Sequence, residues 1–302
     1  RALLGRVPFM LNLQLLAQRW QWRRQRNDHH RLTIVSQFFP PDFAATGQFL
    51  DGLSRRLALR GLQVQVLTGQ PNYAFRDRQA PRISFDHNRC IRRTSVSRWW
   101  PSRIRGRVVN SLLFCLRSSL RLLRAARRGD LLLFTSEPAY LPLFGWLLHA
   151  ITGAPYVLVL YDLYPDVAIA LGVLKPGHPL ARLWRAWQGR ALTAAREVVV
   201  LSSTMAARLQ QVYPELTTAV SVIPSWADPR RIRPLPKEHN PFVRRHGLHG
   251  LFTVLYAGNQ GRCHDLDTLL DAAVLLAGQP GIRFVIVGDG ARHRQLRQRV
   301  QQ

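Results

Sequence analysis

Apolar and polar positions change their period several times along the chain, and each change marks an element. Leu32 to Val35 is a short apolar run that predicts a buried strand. Phe49, Leu50, Leu53 and Leu57 then recur at helical spacing up to a stop at Gly61, and Val64 to Thr68 alternates as a second strand. Leu131 to Phe134 and Tyr156 to Leu160 read as buried strands on either side of a helix over Leu141 to Thr152. A Trp-bearing helix from Pro179 to about Ala195 follows, with Trp184 and Trp187. Next come a strand, Val198 to Leu201, a helix opened by the cap candidates Ser202 and Ser203, and a strand, Val220 to Ile223. Past Pro224, Pro229, Pro234 and Pro236 the alternation resumes: strand Phe252 to Tyr256, helix Leu266 to Leu276, strand Arg283 to Val287. Strands alternating with helices predict an α/β protein built on parallel sheet.

Two stretches need a choice between readings. From Ala139 to Tyr161 no Asp, Glu, Lys or Arg occurs, which suggests a membrane span; Pro142 and the break Gly153-Ala154-Pro155 divide the run into a helix and a strand instead. Gly106 to Arg127 predicts a long helix whose stripe of Val109, Leu112, Leu113, Leu116, Leu120 and Leu123 is read as its core face. The segment before it, from Tyr73, is basic and aromatic, with Trp99, Trp100 and Pro101, and receives no element. Residues 1–30 carry apolar positions at Leu3, Leu4, Val7, Leu11, Leu15, Leu16 and Trp20, followed by arginines. They read as a basic amphipathic extension that lies on a membrane or is irregular, Pro8 interrupting the pattern. The expected organisation is an extension over 1–30, a first domain over 31–225, a linker over 226–239 and the beginning of a second domain over 240–302.

Charge alters this picture. The chain has 302 residues and a net charge of +26, and only Lys175 and Lys237 are lysines. Between Arg76 and Arg128 there are 15 arginines against two aspartates, half of the total surplus. Such a field favours anionic surfaces, either lipid headgroups or nucleic acid, unless it serves solubility alone. Nothing matches a nucleic-acid-binding motif, so nucleic acid is not the expected partner. Cys90, Cys115 and Cys263 are far apart and odd in number, with no ligand spacing, which points to reduced thiols, a cytoplasmic location and no metal site.

The candidate chemistry collects in loops at the C-terminal ends of strands. After Leu32–Val35 the chain runs through Pro40-Pro41 and the small residues Ala44, Ala45, Thr46 and Gly47. Thr46 is a candidate helix cap, and Gly47 leaves the backbone open to a ligand such as a phosphate at the helix N-terminus. The same residues also suit an ordinary strand–helix connection. Glu137 follows one strand and Tyr161, Asp162 and Asp166 follow the next. Asp162 is the first choice for a polar group near a reacting centre, or else it caps the following helix; Glu137, Tyr161 and Asp166 rank lower. Glycine turns close two later strands, Gly258-Asn259-Gln260-Gly261 and Gly288-Asp289-Gly290.

The Phe39-Pro40-Pro41 run, the small-residue loop, the helix ending at Arg60-Gly61 and the strand reaching Leu67-Thr68-Gly69-Gln70-Pro71-Asn72-Tyr73 resemble retaining glycosyltransferases of the GT-B fold. The similarity extends through Thr135-Ser136-Glu137-Pro138 and Asp162-Leu163-Tyr164-Pro165-Asp166 to the glycine turns. It is to glycosyltransferase family 4, in its polysaccharide and O-antigen branch. The resemblance implies one complete Rossmann-like domain and an incomplete second one. It implies transfer of a sugar, with retention, from a nucleotide-sugar donor to a glycan or lipid-linked acceptor, without cofactor or metal, at the inner face of the membrane. Thr46, Gly47, Gly258, Asn259, Gly261 and Arg262 would approach the donor's diphosphate. This chain departs from the pattern at Tyr161, where many members carry His, and at Asn259 and His264, where the family often carries Arg and Lys. The family's paired Glu, separated by seven residues, is not found after Gly290, so the chain as written is expected to be inactive alone. Two other classes stay open. A sugar-nucleotide epimerase of the same architecture would turn over its substrate without acceptor; a basic binding module would prefer nucleic acid in a salt-dependent way.

Overall fold

A computed structural model describes residues 31–42, 44–71, 80–94, 104–125, 129–227, 229, 232–261 and 264–301. The chain divides into two units, Arg1–Trp226 and Ala227–Gln302. In the first, eight strands form one sheet in the order β3-β4-β2-β1-β5-β6-β7-β8. They are β1 (Arg31–Val35), β2 (Gln63–Thr68), β3 (Ile83–Asp86), β4 (Arg89–Arg93), β5 (Leu131–Thr135), β6 (Tyr156–Leu160), β7 (Glu197–Val200) and β8 (Val220–Val222). Every pairing is parallel except β3 with β4. The helices between them are α1 (Ala45–Leu59), α2 (Ile104–Ala125), α3 (Leu141–Thr152), α4 (Asp166–Ala170), α5 (Pro179–Thr193) and α6 (Ser203–Val212).

Register explains why the central strands read as unbroken apolar runs. Ile34 lies beside Val66 and Leu133, and Val35 beside Leu67 and Phe134, so alternate residues fill opposite layers. One layer gathers Ile34, Val64, Val66, Ile91 and Leu133 with Leu50 and Ala58 of α1. The other gathers Val35, Leu132, Phe134, Tyr156, Leu158 and Val198 with residues of α2, α3, α5 and α6. Helix α3 comes close to the sheet because Gly145 faces Phe134: a Cβ there would sit 2.9 Å from the ring. Ser202 caps α6, accepting from the Met205 amide at 3.2 Å.

Several expectations are corrected here. The basic segment holds a hairpin, β3–β4, at one edge of the sheet, turning at His87 with φ +50°. Its strands escape a reading by apolar alternation because arginine is buried in them. Arg89, 3% exposed, reaches Asp51 and also bonds Asp86 at 2.8 Å and Ser54 at 3.0 Å; Arg93 reaches the Pro40 and Pro81 carbonyls. The stripe on α2 is not the core face. Phe114, Cys115, Ser118 and Leu122 are buried, whereas Val109, Leu112, Leu116, Leu120 and Leu123 are exposed. Trp226, in the expected linker, packs on α1 against Phe49, with ring centroids 5.3 Å apart. Cys90 and Cys115 are buried free thiols. Residues 1–30, Trp99, Trp100, Pro101, Arg262 and Cys263 lie outside the described residues. Among the described residues no helix is long and apolar enough to cross a membrane.

The second unit contains α7 (Pro241–Arg245), β9 (Phe252–Ala257), α8 (Asp267–Leu275), β10 (Ile282–Val287) and α9 (His293–Val300). Strands β9 and β10 pair in parallel, and Leu266, Leu270 and Leu296 form a small core.

Candidate functional site

Sheet order places the site. From β1 the chain moves outward to β2, then crosses back so that β5 becomes the other neighbour of β1. The crevice between the loops that leave β1 and β5 is therefore a topological switch point, where open α/β sheets take their ligands. The β1 loop delivers the start of α1 and the β5 loop delivers Glu137; next to it, the β6 loop delivers Tyr161 and Asp162.

These groups meet in space. The Thr46 hydroxyl donates to Glu137 Oε2 at 2.9 Å. Thr46 is thus not the cap of α1. That position is Ala44, whose side chain offers no hydrogen bond to the first amides of the 15-residue helix. At Gly47 the space for a side chain is already taken by the chain itself. A Cβ there would lie 3.0 Å from the Phe38 carbonyl oxygen and 3.0 Å from Phe39 Cα, both backbone atoms of the preceding loop.

Ser136, which sequence reasoning passed over, fastens the β5 and β6 loops together. Its hydroxyl oxygen accepts from the Tyr161 amide at 2.9 Å and the Asp162 amide at 3.1 Å. A short polar residue at the last turn of a strand, one before an acidic residue, was the available signal. Thr135 completes the turn by donating to the Glu137 carbonyl at 3.0 Å. Asp162 does not cap α4, whose N-cap is Pro165.

Titration reflects the crowding. Burial raises the Glu137 carboxyl above its ordinary value; the Thr46 hydrogen bond opposes this and the charge of Asp162 adds to it. Partial burial also raises Asp162. The Tyr161 phenol is pushed up to about 12, first by burial and then by Glu137. Two carboxyls raised by burial, beside a helix N-terminus, form a place where proton transfer and anion binding adjoin. Asp166 stands apart from this pair, held by Arg185 at 3.1 Å and Arg208 at 2.7 Å.

In the second unit the glycine turns lock onto each other. The Gly258 amide donates to the Val287 carbonyl at 3.0 Å and the Gln260 amide to the Asp289 carbonyl at 2.9 Å. A Cβ on Gly288, at φ +145°, would lie 1.9 Å from the Gly258 carbonyl oxygen. Gln260 is buried between the turns, its amide nitrogen donating to Gly288 and its oxygen 2.8 Å from His293 Nδ1. Gly258 and Asn259 remain exposed on this frame and Gly261 is half-buried. His264 is turned to the Tyr256 hydroxyl at 2.6 Å.

The family model described as Glycosyltransferase Family 4 matches residues 46–231, more than half of the chain. This chain belongs to glycosyltransferase family 4. The family 4 match begins at Thr46 and covers the loops that carry Glu137, Tyr161 and Asp162. Among curated proteins the chain is similar to a probable glycosyltransferase, WbjE, of Pseudomonas aeruginosa, 30% identical over 173 residues. That alignment takes in 57% of this chain and 43% of the relative, so the chain spans under half the length of the relative it matches. Among solved structures, sucrose-phosphate synthase from Thermosynechococcus elongatus superposes with a TM-score of 0.68 at 15% identity, over 90% of this chain and 67% of that one. Anabaena Alr3699/HepE in complex with UDP-glucose superposes with a TM-score of 0.58 at 15% identity, over 90% of this chain and 66% of that one. The family 4 chain therefore has the α/β fold of GT-B glycosyltransferases.

Proposed function

We propose that this family 4 chain takes part in moving a sugar from a nucleotide-sugar donor to a glycan or lipid-linked acceptor, with retention of configuration. The observation that carries the reading is the Thr46–Glu137 hydrogen bond at the start of α1, with Asp162 beside it at the switch point. The uncapped amides of α1 suit a diphosphate. In the proposed reaction the bond from the anomeric carbon to the diphosphate breaks, the acceptor oxygen bonds that carbon, and the acceptor's proton leaves with the diphosphate. Asp162 steadies positive charge at the sugar, and Glu137 orients a hydroxyl. For Gly258, Asn259, Gly261 and Arg262 of the second unit we propose contact with the donor. No step is assigned to a metal or cofactor. The bound UDP-glucose of the Anabaena structure supports the donor class, and the Pseudomonas relative supports the reaction type. We place the work in cell-surface polysaccharide synthesis, at the inner face of the membrane.

The test is a screen of nucleotide sugars against the intact protein by thermal shift, followed by transfer assays on Asp162→Asn. This substitution keeps the shape and removes the charge. Turnover is expected to fall by about a hundredfold or more, with donor affinity within a few fold of the parent. Normal turnover in a folded Asp162→Asn protein would remove Asp162 from the chemistry.

A further inference from the structure

Helix α2 has two apolar faces, and among the described residues one is packed into the core while the other is exposed. Phe114, Cys115 and Leu122 pack into the core beneath it. On the outer side Val108 is 51% exposed, Leu112, Leu116 and Leu120 are each 46% exposed, and Val109 and Leu123 are close behind. On an ideal helical wheel these six occupy a sector of about 120° on a rod about 33 Å long. The next sector belongs to Arg117, Arg121 and Arg124, of which the last two are exposed. The neighbouring helix α3 adds Leu147 and Ile151, the latter 70% exposed.

We propose that the outer face of α2 docks this protein on an anionic lipid bilayer. The inference deepens the membrane part of the function proposed above by naming the element responsible. Charge selects the occupant. The chain carries +26, and the stripe runs alongside an arginine row, so a second copy would set arginine against arginine. Anionic headgroups instead meet the arginine row while the leucines enter the acyl boundary, the arrangement of an interfacial helix. The positive field is already dense here: burial, Arg92 and Arg117 together hold the Arg121 guanidinium below its ordinary value. An anion alongside relieves that repulsion.

The experiment is sedimentation of the 302-residue chain with vesicles of phosphatidylcholine alone or mixed with phosphatidylglycerol. The parent is expected to pellet with the mixed vesicles, poorly with the neutral ones, and less as salt rises. Leu112→Gln/Leu116→Gln/Leu120→Gln should lower partitioning by about tenfold or more, because apolar insertion is lost. Arg117→Gln/Arg121→Gln/Arg124→Gln should erase most of the preference for phosphatidylglycerol. Both sets lie largely outside the core, and melting temperatures near the parent's verify folding; single Leu116→Gln, with a smaller loss, serves if the triple variant unfolds. Partitioning like the parent in both variants would overturn the proposal. So would a stripe variant that binds vesicles normally but changes oligomeric state, or binding that disappears only on deletion of residues 1–30. Donor-induced thermal shifts should be unchanged in the stripe variant. Failure of the parent to respond to any nucleotide sugar would count against the transferase reading and leave the vesicle result standing.

Discussion

Single side chains at the switch point carry a stability cost that pH reveals. The folded state raises the Glu137 carboxyl, chiefly by burial, so the folded form binds protons more tightly than the unfolded one. The carboxylate therefore costs nothing below its unfolded value, and destabilises the fold increasingly as pH rises through the window up to the raised value. Glu137→Gln removes the charge while its amide oxygen still accepts from Thr46. The variant is expected to melt at a higher temperature than the parent at pH 7, with the difference vanishing near pH 4, measured by melting curves across that range. A gap that widened toward acid would show that Glu137 is stabilised by its surroundings. At this scale the sequence was only partly legible. Asp162 and Glu137 could be picked out as acids at strand ends, but the bond between Thr46 and Glu137 spans 91 positions and no local pattern encodes it. Nor does any local pattern encode the close approach of Gly47 to the backbone of its own loop.

Elements obeyed their patterns wherever burial alone set the residue types. Strands β1, β5 and β6 lie where apolar runs put them, as parallel strands covered on both faces do, and β2 lies where its alternation put it. The hairpin β3–β4 was illegible because it buries arginine, and buried charge is possible only with partners that lie elsewhere in the chain. Arg89 is the clearest case, since it fastens the hairpin to α1 through Asp51 and Ser54. Arg89→Met should cost about 1.5–3 kcal/mol, the usual range for hydrogen bonds to charged groups, because Asp51 and Asp86 are partly exposed. Denaturant titration measures this directly, and a loss under about 1 kcal/mol would mean the pair contributes little to folding. Helix α2 shows the opposite error. Its length was evident, but its periodic leucines marked an outer face, and periodicity cannot say which of two apolar faces meets the core.

At the scale of the molecule the two units differ in how deeply their strands are covered. All five residues of β1 are buried, whereas β9 and β10 hold no fully buried residue and rest on a three-leucine core. Amide protons of β9 and β10 should exchange with solvent faster than those of β1, β5 and β6, as read by hydrogen exchange with mass spectrometry. Equal protection in the two sets would show that the small unit draws stability from more than its own core. The fold class was readable from the alternation of strands and helices, because that alternation is a property of whole segments and survives local exceptions.

The clasp between Gly258 and Gly288 bears on how such a protein could be re-aimed. Backbone meets backbone there and the buried Gln260 side chain joins the two turns, so their course depends on few atoms besides the side chains missing at Gly288 and Gly290. What those turns display, beginning with the exposed Asn259, is therefore separable from the scaffold that displays it. A designer, or descent with modification, can exchange the displayed groups one at a time while the scaffold stays as it is, provided Gly288, Gly290 and Gln260 are left alone.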